Sequence, residues 1–216
     1  MAGICFVFGC SHPRQPVDSR SIVIYPGRGV PDLCEVGMSL SALRKKNATT
    51  THGSYKINGM RFILVPSLGA VVPIEKRDKS VRSITFNTAP FDNPEPVRMK
   101  LDTPFRGTLE PGVSFAEMDV DVDEVTKALG EPAHTFVLPS SPQPEDYPTP
   151  QYIEEVQAAG SWFYRHPSID TLMYFHRGIT FSFKSNSVMR FTVSEPTEGR
   201  TTAFTVPSEG APSSVQ

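Results

Sequence analysis

Short apolar runs, each stopped by Pro, Gly or a polar cluster, set the rhythm of this chain. From Ser21 onward they read Ser21–Tyr25 (SIVIY), Met60–Val65 (MRFILV), Ala70–Ile74 (AVVPI) and Val81–Phe86 (VRSITF). Later come Leu172–Phe175 (LMYF), Ile179–Phe183 (ITFSF) and Val188–Val193 (VMRFTV). All are strand-length and rich in β-branched or aromatic residues, which predicts strands. Ile179, Phe181 and Phe183 alternate with Thr180 and Ser182, the period of a strand with one buried face. Pro66-Ser67 with Gly69, Glu75–Ser80, His176-Arg177-Gly178 and Lys184–Ser187 are the predicted turns, with Gly178 supplying a positive φ. Pro73 lacks a ladder donor and marks its run as an edge strand or a bulge.

Helical spacing appears in three places. Gly37–Lys46 (GMSLSALRKK) has Ser39 as N-cap, Leu40 and Leu43 at i and i+3, and Arg44, Lys45 and Lys46 in the last turn. Val120–Leu129 (VDVDEVTKAL) aligns with Met38–Asn47 at an offset of 82, so Asp121 falls on Ser39 and Val125 on Leu43. Gly130 and Pro132 stop it. A third helix is predicted from Thr149 as N-cap and Pro150 as first residue, with Tyr152, Ile153, Val156 and Ala159 as its stripe.

The order helix, then three strands, thus occurs twice. The predicted fold class is α+β: two tandem repeats of a short helix plus a three-stranded antiparallel meander, packed as one compact unit. The boundaries follow: 1–20 as an N-terminal signal-like and linker segment, 21–90 as the first repeat, 91–111 as a proline-rich connection. Residues 112–194 form the second repeat, with an inserted loop and helix at 131–160, and 195–216 a disordered tail. Two unrelated α+β pieces with ordinary meanders are the other reading of the same pattern.

Composition narrows the function. With 21 Lys and Arg against 23 Asp and Glu in 216 residues, the net charge of −2 excludes binding that depends on a strong basic field, so no nucleic-acid partner is expected. No run reaches the roughly 18 apolar residues of a spanning helix. There are 14 Phe and 6 Tyr, enough to exclude disorder along the whole length. Of the 21 prolines, 11 lie between Pro90 and Pro150, which makes the connection between halves extended and loop-rich.

The start, Met1–Pro13 (MAGICFVFGCSHP), places Val7, Phe8 and Gly9 before Cys10. Here the sequence resembles a bacterial lipoprotein signal, which implies lipidation of Cys10 and a lipid-anchored place in the cell envelope, at the outer membrane. No Lys or Arg precedes the apolar run, and the run is short. The expectation is therefore either a misplaced start with part of the signal missing, or an ordinary first strand in a cytoplasmic protein. Cys5, Cys10 and Cys34 match no zinc spacing, and Cys34 reads as buried and inert.

Gly37-Met38-Ser39-Leu40 followed by a strand meander resembles bacterial envelope proteins of the BamE/SmpA and β-lactamase-inhibitor-like fold, over roughly 26–90 and 112–194. That resemblance implies a non-enzymatic, lipid-anchored binding module. Phe175–Phe183 (FHRGITFSF), with Pro26-Gly27 and Gly37–Leu40, is similar to the phagosome assembly factor family, which is eukaryotic and in which a lipobox is out of place. Neither resemblance implies a catalytic residue.

Candidate chemistry is sparse. The acidic run Glu117, Asp119, Asp121, Asp123 and Glu124 departs from an EF-hand, having Glu124 where Gly is needed and Gly130 where Glu is needed. It reads as a carboxylate-rich helix start, and no metal or other cofactor is expected. His166 and His176 belong to no His-Glu-x-x-His motif, and no Gly-x-Ser-x-Gly elbow occurs. Gly27-Arg28-Gly29 lacks the Gly-Lys-Ser/Thr of a phosphate loop. Trp162, Phe163, Tyr164 and Arg165 form either an exposed aromatic patch for a partner or a strand with one ring buried. The expected function is a non-enzymatic protein-binding or scaffolding module, with another protein as partner. An inhibitor or immunity-type protein, or a hydrolase with an unrecognised site, are the alternatives.

Overall fold

The structure, a computed structural model, describes residues 19–46, 54–57, 60–74, 77–93, 99–101, 103–117, 120–136 and 170–197. In chain order the strands are β1 (Val23–Ile24), β2 (Gly29–Val30) and β3 (Cys34–Glu35), then helix α1 (Leu40–Lys46). Strands β4 (Ser54–Ile57), β5 (Met60–Val65), β6 (Ala70–Ile74) and β7 (Ser83–Asn87) follow. The connection carries β8 (Phe91–Asn93), β9 (Met99–Leu101), β10 (Thr108–Leu109) and β11 (Val113–Ser114). Helix α2 (Val122–Leu129) leads to β12 (His134–Phe136), β13 (Asp170–Tyr174), β14 (Ile179–Lys184) and β15 (Ser187–Ser194). The fold is α+β.

Eight strands form one sheet in the order β12-β13-β14-β15-β7-β6-β5-β4. Its centre is the antiparallel pair β7–β15, where Thr85 faces Thr192 and Phe86 faces Phe191. On either side the ladder continues alike: Thr85 pairs outward with Val71, and Thr192 with Thr180. Each expected meander has gained a fourth strand, β4 or β12. Both are short and polar-rich (SYKI and HTF), so neither shows an apolar run.

Both helices pack on one face of the sheet. Leu43 from α1, with Val125 and Leu129 from α2, joins a buried cluster with Ile63, Val72, Ile84, Phe86, Phe181, Phe191 and Val193. Each such aliphatic side chain contributes about 1.5–3 kcal/mol by leaving water. Aromatic rings fill the middle. Phe191 stacks on Phe86 (5.2 Å, 20°) and on Phe115 (4.9 Å, 23°), and meets Phe105 edge-on (5.7 Å, 78°). Phe105 and Phe115 come from the connecting stretch, which also pairs β10 in parallel with β1. Thus the expected proline-rich connection is part of the core rather than a spacer.

The alternation in β14 predicted a polar face in solvent, and here the structure differs. Thr180, Thr171, Ser83, Thr85, Thr192 and Ser194 are all buried, alongside Leu64, Val71 and Met173. Hydroxyls tolerate such a position when they find partners, and Thr85 Oγ1 lies 2.8 Å from Thr192 Oγ1. Pro73 sits on an interior strand, not an edge strand, opposite Phe62 of β5. The β6–β7 ladder stops at the pair Val71–Thr85, so the missing N–H of Pro73 falls beyond it.

Two short 3₁₀ turns, Pro66–Leu68 and Phe175–Arg177, join β5 to β6 and β13 to β14. Gly69 (φ 61°) and Gly178 (φ 63°) close them in the left-handed region and donate to Pro66 O and Phe175 O. A Cβ at Gly178 would also lie 2.9 Å from the Gly27 Cα, so two constraints hold glycine there. Residues 195–197 are tied to this corner, where Thr197 N donates to Phe175 O (3.1 Å). The predicted helix at 150–159 and the rest of the predicted tail lie outside the described residues.

Candidate interaction surfaces

Each helix is moored to a strand connection by the same backbone bonds. At α1, Leu40 N donates to Lys79 O (3.0 Å) and Val81 N to Met38 O (2.8 Å), with Ser39 bridged to Ser80. At α2, Val122 N donates to Asn186 O (3.1 Å) and Val188 N to Val120 O (2.8 Å), with Asp121 bridged to Ser187. The caps agree with the sequence: Ser39 Oγ accepts from Ala42 N (3.2 Å) and Asp121 Oδ1 from Glu124 N (2.8 Å). Such a cap contributes about 1 kcal/mol.

The charges on these two junctions are opposite. Arg44 and Lys45 of α1 are exposed, and Lys46 is half-buried. The neighbouring connection adds exposed Arg77, Lys79 and Arg82. Since α1 is only seven residues, about 10 Å long, the backbone of Arg44–Lys46 stays within about 10 Å of the connection that carries the other three cations. Two carboxylates temper them: Asp78 pairs with Arg82 (2.7 Å) and Asp32 with Lys46 (3.6 Å). Around α2 the exposed side chains are Glu117, Asp123, Glu124 and Glu131, with Asp121 at the cap and Lys127 and Lys184 as cations. The sequence reading assigned each set to its own helix dipole or turn. It missed that the Ser39–Ser80 bridge gathers Arg77–Arg82 against α1; the contrast of SALRKK with DEVTKA at the aligned positions was the available signal.

Elsewhere polar groups hold backbone. Tyr174 Oη donates to Gly130 O (3.0 Å), closing the end of α2, and burial pushes its pKa up. Arg106 Nη1 donates to Thr88 O (2.7 Å) and Phe105 O (3.1 Å). Arg28 Nε donates to Glu35 Oε2 (2.8 Å), which with the Asp32 amide holds the Glu35 carboxyl below the usual range. Gly27-Arg28-Gly29 is therefore a turn braced by an ion pair.

Among the expected site residues, Cys34 is fully buried, and desolvation pushes its thiol up to about 12. His176 is exposed in the turn before β14, 6.5 Å from the Tyr174 ring centre. Asp121, Asp123 and Glu124 start α2, and no group of three metal-ligating side chains occurs among the described residues. No described helix is long and apolar enough to cross a membrane. Cys10, Trp162, Phe163, Tyr164, Arg165 and His166 lie outside the described residues. No family model matches the chain, and no curated protein or solved structure matches it either.

Proposed function

We propose that the chain is a non-catalytic protein-binding or scaffolding module built from two tandem units, α1 with β4–β7 and α2 with β12–β15, fused through β7 and β15 into one sheet. The observation that carries this reading is the matched pair of helix–strand junctions, identical in their backbone bonds and opposite in charge. The mirrored strand order and the Gly69 and Gly178 turns support the duplication. Each unit has one helix to bury against four strands, and a shared sheet gives both a larger core. The working parts are then the exposed ends of the sheet, where another protein docks by charge.

Lipid anchoring at Cys10 is a separate part of the proposal, tied to the envelope-lipoprotein resemblance. A second reading has an observation in its favour. Pro26-Gly27 and Phe175–Phe183, which carry the resemblance to phagosome assembly factors, meet in space, where Gly27 packs against Gly178. On that reading the module is cytoplasmic and unanchored. Detergent-phase partitioning of wild type beside Cys10→Ser separates the two: only an anchored wild type enters the detergent phase, and only with Cys10 intact.

The binding role is tested by cross-linking in native cells, comparing wild type with Arg44→Glu/Lys45→Glu. A defined partner cross-linked to the wild type and lost from the variant supports it. Hydrolytic turnover by the purified chain that disappears in His176→Ala would overturn it.

A further inference from the structure

The two charged junctions stand at opposite ends of the sheet. Strand β7 begins at Ser83, directly after the basic connection, and Ser83 lies beside Ser194, the last residue of β15. The acidic junction meets β15 at its first residue, Ser187, through the bridge to Asp121. Eight extended residues, about 25 Å, separate the points where the two helices begin, which is some three Debye lengths at physiological ionic strength. Helix α2 runs back from the Ser187 end, and its last turn is held by Tyr174, level with Val193, so the acidic end is made by its first turn, Asp121, Asp123 and Glu124. The ion pairs between described residues, Arg28–Glu35, Lys46–Asp32 and Arg82–Asp78, all lie before β7.

We propose that copies of this chain associate head to tail, the basic α1 junction of one docking on the acidic α2 junction of the next. The proposal rests on the two-unit reading above and deepens it by naming the partner. Charge complementarity selects a second copy: a chain of net charge −2 carries a positive end and a negative end of like architecture. Arg44, Lys45, Lys79 and Arg82 face Glu117, Asp123 and Glu124 across the contact. Because the two surfaces differ, the contact is heterologous and leaves a free end at each step, so it builds open rows instead of a closed dimer. Neutralisation of exposed charges makes the association steep in salt.

Sedimentation velocity of the full chain tests this, at about 20 mM and about 500 mM salt, where the Debye length falls from roughly 20 Å to 4 Å. The wild type is expected to show a sedimentation coefficient that rises with concentration in low salt and a monomer in high salt. Arg44→Glu/Lys45→Glu and Asp123→Lys/Glu124→Lys should each weaken self-association about tenfold or more. An equimolar mixture of the two variants should associate again, since one then carries two acidic ends and the other two basic ends. A folded wild type that stays monomeric in low salt overturns the proposal and leaves the two-unit fold standing. So does a mixture no more associated than its components. Sedimentation of monomeric wild type with phosphatidylserine vesicles but not with its own kind would overturn it in favour of a membrane surface.

Discussion

Replacing Thr85 with Val removes one hydroxyl from the middle of the sheet and leaves the Thr192 hydroxyl without its partner. Both side chains are buried, Thr85 completely, and their oxygens are 2.8 Å apart. The cost of such an orphaned group is about 1–3 kcal/mol, and the reverse change, Thr192→Val, should cost the same for the same reason. The double replacement removes both polar groups at nearly constant volume, so it should fall close to wild type. The cycle then gives a coupling of about 2–6 kcal/mol in magnitude, the sum of the two single effects. Urea unfolding of the intact chain, followed by circular dichroism, measures all four proteins, with an unchanged slope against urea as the control. Single effects that simply add in the double variant, with coupling under about 0.5 kcal/mol, would refute the contact. The two units would then not be joined through these strands in this register.

Phe191→Ala removes a ring that contacts Phe86, Phe105, Phe115 and Phe181, and should cost about 3–5 kcal/mol in the same assay, with Phe191→Leu much milder. Gly178→Ala places a Cβ against the Gly27 Cα and the Ser194 carbonyl at a φ of 63°, so it should lower the melting temperature in a thermal scan. Cys34 keeps its proton to about 12 in the fold, against an ordinary 9.0. Between those values the unfolded chain binds fewer protons, so stability should fall as pH rises from about 9 to 12. Cys34→Ala should flatten that part of the slope, and the native thiol should resist alkylation until the protein unfolds.

Much of the fold was legible because its signals are local. The caps Ser39 and Asp121, the stop at Gly130 and the turn at Gly178 each rest on a few neighbouring residues, and each stands where its chemistry put it. Strands β4 and β12 escaped notice because sheet edges draw stability from pairing more than from apolar runs. The buried threonines could not be read either, since Thr192 looks solvent-facing until Thr85, 107 positions away, is known to be its partner. Phe105 belongs to a proline-rich stretch, and only packing reveals it as core. The charged surfaces were visible as residues but not as surfaces, because the bridge that brings Lys79 beside α1 is a tertiary contact.

Hydrogen exchange of the wild-type chain in low and high salt tests the account most directly. It predicts that the amides of β7 and β15 exchange only on global unfolding in both conditions. It also predicts that Leu40–Lys46 and Val122–Leu129 gain protection together in low salt. Protection of one helix without the other, or opening of β7 away from β15 well below global unfolding, would contradict a two-unit scaffold that binds through its opposed ends.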